Sequence, residues 1–489
     1  MNKLIKIFTT ITFLVALTCA YSQQSTQLGT FDFLPQSVYA NPAVKPKGKL
    51  NIGIPFLSSV HLEHNNNWFK PNEFLVTDGN GSATLAPEHI LENIDESAFI
   101  GQTTNIELLH VGLKFGKDKK HYAHFSIAER TQFGITIPKD VFYLAAYGNV
   151  GQHQFANNTA DFSSLSVNGI HFREYALGYN VDINEKLSVG ARAKYLYGME
   201  TIHTDQSSLQ LYTDPETYAL RSSGTFRVQT SGIYGLVEED REAVQSDAGS
   251  YLMGLQNNGF GADLGVVYKP IEKLKLEVSA NDLGFISWKS DVATLQSGNA
   301  EFLYNGVNLS DFIFDDGDDF DNSLQSELDS IVDDLENTYD FQTTHENFRT
   351  NLQGFIRYAA SYELFNINKF KGSAWANFIH GLNDRYYSTF SLGYNQEIGH
   401  GFQLGLHLTK RKASSASFGA GMVYNAGPVQ FYCLADNFRF ARMTKVSLID
   451  DEGNRTQIVY PTNPDDIRVN FGINLTFGMK EKGQGVTML

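Results

Sequence analysis

The densest group of ionisable side chains in this sequence lies between Asp311 and Asp340 and includes the run Asp315-Asp-Gly-Asp-Asp-Phe-Asp321. Carboxylate oxygens are the ligands that Ca²⁺ prefers. However, the spacing does not match the Asp-x-Asp-x-Asp-Gly loop with a distal glutamate that forms a calcium-binding hand. A solvated acidic loop is therefore the favoured interpretation.

Two histidine pairs are the other candidates for metal ligands, His61 with His64 and His121 with His124. Each pair has an odd separation, so its members point to opposite faces of a strand, and no Cys, Asp or Glu completes a ligand pattern. The sequence also lacks a Gly-x-Ser-x-Gly elbow, a phosphate-binding Gly-Lys-Ser/Thr loop and a zinc-protease helix. We therefore predict no metal, no cofactor and no enzymatic activity.

Two short helices are predicted in the long connections between strands. One follows the acidic run, where Leu324, Leu328, Ile331 and Leu335 fall on one stripe behind a capping Asn322 or Ser323. The other is Pro87–Ile94, with proline suited to the first turn. The first is expected to lie over the outer mouth of the protein. For the second, packing against the residues of its own loop is the default explanation, and a place over the mouth is the alternative.

The first residues predict an export signal. Two lysines precede an apolar run, Ile7–Leu17, which is short of the roughly 20 residues that a spanning helix needs, and Ala20-Tyr-Ser22 forms a small-x-small cleavage site. Lipid attachment at Cys19 is the alternative, but the residues before it lack the required pattern. We predict a cleaved signal peptide over residues 1–22.

Composition restricts the class of protein further. The formal net charge is −16, from 54 acidic and 38 basic residues, which argues against a nucleic-acid partner. Aromatic residues are abundant, with 36 Phe and 24 Tyr against 3 Trp, as in β-structures with aromatic girdles at a membrane interface. After cleavage one cysteine remains, Cys433, so no intramolecular disulfide is expected.

Long segments alternate strictly between apolar and polar residues, which is typical of strands with one apolar face. In Ile467–Phe477 every second residue is apolar, and the others are Arg, Asn, Gly, Asn and Thr. The further predicted strands are Leu50–Leu62 with an interruption at Pro55, Ile106–Phe115, Tyr122–Arg130, Ile170–Ile183, Leu187–Tyr197, Phe260–Lys269, Leu274–Ile286 and five or six more between Asn351 and Asp436. The total is about 14, and bacterial barrels have even strand numbers.

The connections alternate in length, which predicts a membrane barrel. Six are short, near residues 116–120, 184–186, 270–273, 366–369, 397–401 and 425–427, whereas the alternate ones include the long segments 65–103, 131–168, 199–257, 289–348 and 442–465. Outer-membrane barrels have short periplasmic turns and longer external loops. A soluble sandwich, the alternative, has no physical reason to place every long loop at one end. We predict an all-β fold, a closed antiparallel transmembrane β-barrel.

Charged residues inside the strands predict the wetted face, because charge is costly on a lipid face but tolerated in a polar lumen. The predicted lumen-facing residues are Arg192, Lys194, Lys275, Glu277, Gln403, His407, Arg468 and Asn470. The apolar partners in the last strand, Val469, Phe471, Ile473 and Leu475, are predicted to face lipid.

Several segments resemble an uncharacterised outer-membrane β-barrel family of Bacteroidetes. They are residues 261–288, which form a predicted central hairpin, Asn51–Ser59, Ala360–Leu364 and Asn470–Gly478. The resemblance implies a barrel in the outer membrane and brings no established activity with it.

The triplet Asn41-Pro42-Ala43, ahead of the first strand, resembles the N-terminal segment of long-chain fatty-acid-transporter-type barrels and of barrels associated with type IX secretion. In the transporter type this segment folds into the lumen as a hatch, so the resemblance implies a small plug. The alternative is that Asn-Pro only starts a turn.

These observations predict four regions: a signal peptide (1–22), an N-terminal periplasmic or plug segment (23–48), the barrel with its external loops (49–478) and a C-terminal periplasmic tail (479–489). The expected location is the Gram-negative outer membrane, in contact with its lipid. Two functions remain open. One is passive transport of a small or hydrophobic solute. The other is a non-conducting scaffold that binds a secretion, motility or envelope protein through its loops or periplasmic ends.

Overall fold

The structure is a computed structural model, and it describes residues 26–68, 75–77, 83–85, 91, 94–149, 155–233, 256–298, 300–304, 338–339, 342–367, 369–382, 388–399, 401–411, 416–436, 443–449, 455–461 and 466–479. The predicted signal peptide, most of the two predicted loop helices and the tail beyond Met479 lie outside these residues. Within the described part, no helix has the length and hydropathy to cross a bilayer.

Fourteen strands form the barrel wall, and the predicted all-β closed barrel is confirmed. In chain order they are β1 (Leu50–Gly53 and Val60–Asn66), β2 (Ser97–Phe115), β3 (His121–Pro138), β4 (Ser166–Asp182), β5 (Leu187–Ser207), β6 (Asn258–Ile271), β7 (Leu274–Trp288), β8 (Phe355–Ile367), β9 (Phe370–Gly381), β10 (Thr389–Ile398), β11 (Phe402–Arg411), β12 (Ser417–Ala426), β13 (Val429–Ala435) and β14 (Asp466–Phe477).

The sheet closes on itself because the last strand pairs with the first. Every neighbouring pair is antiparallel, and β14 pairs with β13, Leu475 opposite Val429. On its other edge β14 pairs with β1, Phe477 opposite Leu50. Closure leaves no unpaired edge, which is the condition for a sheet to exist in hydrocarbon.

The first strand is interrupted where Pro55 predicts it. Gly53 lies opposite Asn474 and Val60 lies opposite Phe471, so six residues of β1 face only two of β14. Phe56 takes a left-handed backbone, with φ of 63°, and the chain turns outward. Proline cannot donate a ladder hydrogen bond, so the strand loops out at this point and resumes beyond it.

The side chains divide as the alternation predicts. In β11, Leu404, Leu406 and Leu408 are 40%, 65% and 41% exposed on the outer face. Gln403 and His407, which alternate with these leucines, are buried on the inner face. Successive side chains of a strand point to opposite sides, so one wall carries both an apolar outside and a polar inside.

Several strands are longer than alternation predicts. β2 begins at Ser97 rather than Ile106, and β5 continues to Ser207 rather than ending at Tyr197. Polar residues lie on both faces of these extensions, so the sequence there no longer alternates between apolar and polar residues. The backbone hydrogen bonds to the neighbouring strands nevertheless continue.

At the end of the barrel that carries the long connections, further strands extend the wall or lie over it. Phe226–Ser231, Val292–Gln296, Gln342–Thr344 and Phe348–Asn351 continue the main sheet. Ala300–Tyr304, Leu220–Gly224, Gln210–Thr213 and Thr159–Asp161 form a separate four-stranded sheet. Two hairpins, Leu75–Thr77 with Ala83–Leu85 and Met443–Ile449 with Arg455–Pro461, a helix at Lys139–Tyr147 and a 3₁₀ turn at Ala156–Asn158 complete the elements there.

The opposite end carries only tight connections between strands, at 116–120, 183–186, 272–273, 368–369, 399–401 and 427–428. The first of them contains the 3₁₀ turn Lys117–Lys119. The predicted asymmetry between short turns and long loops therefore matches the strand bounds. The N-terminal segment enters β1 from this short-turn end.

Candidate functional site

Residues 26–48 line the inside of the barrel and are the centre of the candidate site. They form two 3₁₀ turns, Leu28–Thr30 and Pro35–Tyr39, the second started by a proline whose fixed φ suits a first helical position. Phe31, Phe33 and Leu34 are fully buried. Together with Leu28 they pack against Val423, Tyr432 and Leu434 of β12 and β13.

The Asn41-Pro42-Ala43 triplet lies on a pair of glycines. Gly190 of β5 and Gly265 of β6 are opposite each other in the ladder. A Cβ at Gly265 would lie 2.0 Å from Asn41 Oδ1, and one at Gly190 would lie 2.2 Å from the Pro42 carbonyl oxygen. Only a wall without side chains at these two positions admits the triplet.

Hydrogen bonds hold the same triplet to three strands. Asn41 Nδ2 donates to the Val266 carbonyl and to Glu277 Oε2, both at 3.3 Å. Asn180 Nδ2 donates to the carbonyl oxygens of Pro42 and Val44 at 3.0 and 2.9 Å. These bonds satisfy backbone groups that burial would otherwise leave unpaired.

A second glycine pair receives the start of the segment. Gly405 of β11 and Gly421 of β12 are also ladder partners. A Cβ at Gly405 would lie 2.8 Å from Phe31 Cζ, and one at Gly421 would lie 2.4 Å from Gln27 Oε1. The segment therefore contacts the strand backbone directly at two separate places on the wall, each formed by a pair of glycines.

A network of six charged side chains lines the wall beside the segment. Arg192 contacts Asp263 at 2.6 Å and Glu174 at 2.9 Å. Lys194 contacts Asp263 at 2.7 Å and Asp282 at 2.5 Å. Arg130 completes the network with 2.8 Å contacts to Glu174 and to Asp282. Three cations meet three carboxylates, so the buried network is electrically balanced.

The N-terminal segment reaches this network through Tyr39. The Arg192 guanidinium carbon lies 4.6 Å from the centre of the Tyr39 ring, a cation–π distance. The Tyr39 hydroxyl donates to Glu107 and lies 2.8 Å from His110 Nδ1. The segment is thereby joined to charged groups on β2 and β5.

A second network contains Asp32, a residue of the segment itself. Lys275 contacts Asp32 at 3.2 Å and Glu277 at 2.9 Å, and Arg357 contacts Glu277 at 2.9 Å. Burial alone raises the pKa of Asp32, but the charges of Lys275, Lys47 and Lys371 outweigh it and hold that pKa well below its usual range. Asp32 is therefore an anion that ties the segment to the wall.

A third network lies on β1, β11, β13 and β14. Arg468 contacts Glu63 at 2.8 Å and Asp436 at 3.6 Å. His407 Nε2 lies 3.6 Å from Asp436, which also accepts the Thr26 backbone N–H at 2.8 Å. The beginning of the described segment is therefore anchored to this network too.

A polar cavity of about 130 Å³ remains between the segment and the wall near the short-turn end. Charged and amide side chains line it, including Asp32, Lys275, Arg357 and Gln403. Arg357 Nη2 and Gln403 Oε1 are buried there without a hydrogen-bond partner. A second cavity beside Tyr39 holds only about 60 Å³.

The eight residues singled out from the sequence all lie on inner faces of their strands, in three separate places. Arg192 and Lys194 share the first network, and Lys275 and Glu277 share the second. Gln403 lines the cavity, and His407 and Arg468 both contact Asp436. Asn470 accepts a 3.5 Å bond from Ser59.

Sequence reasoning missed the carboxylates that neutralise Arg192 and Lys194. Asp282 does not follow the alternation of β7 because the strand has a bulge at this point. Asp282 has a φ of 56°, and the adjacent side chains of Asn281 and Asp282 are both buried. One extra residue in a strand turns adjacent side chains to the same face. Glu174 and Asp263 do follow the alternation of β4 and β6, so their inward orientation could have been predicted from the sequence. Among the described residues no group of three His, Cys, Asp or Glu is arranged to hold a metal ion.

Solved structures whose chains follow a similar path include a toluene transporter. The toluene transporter TbuX of Ralstonia pickettii is 9% identical over 92% of this chain and 95% of that chain, with a TM-score of 0.38. A FadL homologue of Pseudomonas aeruginosa is 10% identical over 95% and 100%, also at 0.38. The translocator domain of the autotransporter NalP from Neisseria meningitidis is 9% identical over 88% and 89%, at 0.28.

No curated protein matches the sequence. Residues 42–436, well over half of the chain, match a family of unknown function, DUF5723. The expected membership of a family without an established activity is thus confirmed. The chain belongs to this family of unknown function.

Proposed function

We propose that this protein is an outer-membrane barrel that passes a small solute through a lumen closed at rest by residues 26–48, with its short turns in the periplasm. The observation that carries the proposal is the seat of Asn41-Pro42-Ala43 on the paired glycines Gly190 and Gly265. The two glycines leave room in the wall for this segment, which supports a plug that closes the lumen at rest and leaves it when the solute passes.

The lining of the lumen favours a polar solute over a hydrophobic one. Both cavities are bordered by charged side chains, and the larger is lined by Arg357 and Gln403, whose Nη2 and Oε1 atoms are buried without a hydrogen-bond partner. Burying an unpaired polar group costs free energy, which a solute with one acceptor and one donor recovers. An apolar molecule would leave both groups unpaired.

A non-conducting scaffold is the second candidate, and the close filling of the lumen favours it. The charged side chains of the wall pair with one another and with the segment, as between Asp32 and Lys275, so the resting lumen needs no charged solute to neutralise it. A partner would then bind the projecting sheet at the long-loop end or the short turns.

Swelling of liposomes that contain the purified protein distinguishes the two functions. A transporter should admit small neutral sugars faster than large ones, in a size-dependent series, and should admit amino-acid-sized polar solutes faster than protein-free liposomes do. Swelling rates equal to those of protein-free liposomes for every solute would contradict transport and support the scaffold.

A further inference from the structure

We propose that the short-turn end binds anionic phospholipid headgroups through an arc of exposed lysines. The arc consists of the exposed lysines in or beside the turns from β1 to β9: Lys49, Lys117, Lys119, Lys120, Lys186, Lys269, Lys273 and Lys369. The exposed carboxylates of the same turns are Asp118, Glu185 and Glu272. This end is therefore cationic although the whole chain carries a formal charge of −16.

These lysines are available to a ligand. None of the eight forms an ion pair with a carboxylate in the described part of the chain, unlike the inward-pointing Lys45, which pairs with Asp182, and Lys47, which pairs with Glu397 at 2.6 Å. Lys45 also donates to the carbonyl oxygens of Lys119 and Lys120, at 3.1 and 3.5 Å, and so fixes the backbone of the turn that carries three lysines of the arc.

Aromatic side chains place the arc at a membrane interface. Phe115, Tyr179, Tyr268, Tyr362 and Phe370 are between 43% and 52% exposed on the outer wall at this end. Phe115 stacks on His121, which stacks on Tyr179, with ring centres 5.4 and 6.0 Å apart across three strands. Aromatic girdles lie at the level of the headgroups, so lysines of the turns just beyond the girdle, such as Lys369 before Phe370, lie within reach of phosphate.

The position of these lysines along the barrel axis favours lipid phosphate over a soluble anion as the partner. A soluble anion would find lysines anywhere on the protein surface, whereas a row of cations just beyond an aromatic girdle matches the layer where lipid phosphates lie. The turns from β10 to β13, at 399–401 and 427–428, add no lysine to the row among the described residues. The bound lipids should therefore gather on the β1–β9 side of the wall.

Lipid enrichment in nanodiscs tests the proposal on the full-length protein. Discs made from phosphatidylglycerol and phosphatidylethanolamine should show phosphatidylglycerol enriched around the wild-type protein. Each lysine near an anionic surface raises affinity about five-fold. The triple variant Lys117→Gln, Lys119→Gln, Lys120→Gln should therefore weaken the affinity of the arc for phosphatidylglycerol by about 100-fold.

Two matched controls separate charge from folding. The variant with arginine at the same three positions keeps the charge and should retain the enrichment, as should Lys289→Gln at the long-loop end. One molar salt should abolish the enrichment around the wild-type protein, because the Debye length falls to about 3 Å. The proposal is overturned if the wild-type protein shows no enrichment, if salt leaves the enrichment unchanged, or if inorganic phosphate competes as well as the lipid does. These outcomes are independent of solute transport.

Discussion

One added methyl group at Gly190 should open the lumen. In Gly190→Ala the new Cβ would lie 2.2 Å from the Pro42 carbonyl oxygen, 2.4 Å from the Pro42 carbonyl carbon and 2.6 Å from the Ala43 nitrogen. All three are backbone atoms, so no side-chain rotation relieves the contact. The wall is fixed by ladder bonds on both sides of Gly190, and the segment must therefore move.

The size of the effect follows from the packing. Overpacking by a methyl group costs about 1–3 kcal/mol, and contacts this short with backbone place Gly190→Ala at roughly 2–3 kcal/mol. If this cost destabilises the state in which residues 26–48 lie in the lumen, the fraction of molecules whose segment has left the lumen rises by roughly 30- to 150-fold. Single-channel recording in planar bilayers should show this rise as a higher open probability.

Gly261→Ala is the matched control, on the strand that pairs with Gly190. Its Cβ would meet Lys194 Cδ at 3.5 Å and Leu283 O at 3.6 Å, which are ordinary contacts, and its nearest neighbours include no atom of the segment. Both variants should keep the heat-modifiable mobility of a folded barrel. Equal open probabilities for Gly190→Ala and Gly261→Ala would refute the role given to the glycine pair.

Three further predictions concern charge. Lys194→Met leaves Asp263 and Asp282 short of a buried cation, and should lower the free energy of unfolding by about 3–5 kcal/mol, measured by urea titration of heat modifiability; an unchanged midpoint would contradict the network. Asp32, with its depressed pKa, stabilises docking above the ordinary carboxyl pKa of about 3.9 and loses that effect only as pH falls through its own lower value. Open probability should therefore stay flat from pH 8 to about 5, whereas Asp32→Asn should raise it throughout. Leu406→Arg, on the lipid face, should destabilise the barrel in bilayers by about 2–4 kcal/mol, unless that face does not meet lipid.

Alternation and loop lengths predict the wall well because they depend on local physics. A strand such as β14 must place Phe471 outward and Asn470 inward once one face meets hydrocarbon, so period and connection length are enough to count fourteen strands. The limits of β2 and β5 were not predicted, since beyond the bilayer neither face needs to be apolar and hydrogen bonding alone sets the end.

The interior was predicted only by residue type. A single sequence shows that Arg192 faces inward but not which carboxylate it meets, because the partners lie on strands that closure brings together. Asp282 was hidden by the bulge in β7. The role of Gly190 was equally hidden, since a glycine in a strand has many explanations until the atom that would occupy its missing Cβ is seen.

A reversible lock on the segment tests plug control most directly. Ala43→Cys with Val267→Cys, in a Cys433→Ser background, places thiols at two buried side chains of one cluster, one on the segment and one on β6, and leaves the glycine pair intact. Solute flux through reconstituted protein should fall to the protein-free level when the pair is oxidised and return on reduction. Flux that is the same in the oxidised and reduced protein would contradict a lumen closed and opened by residues 26–48.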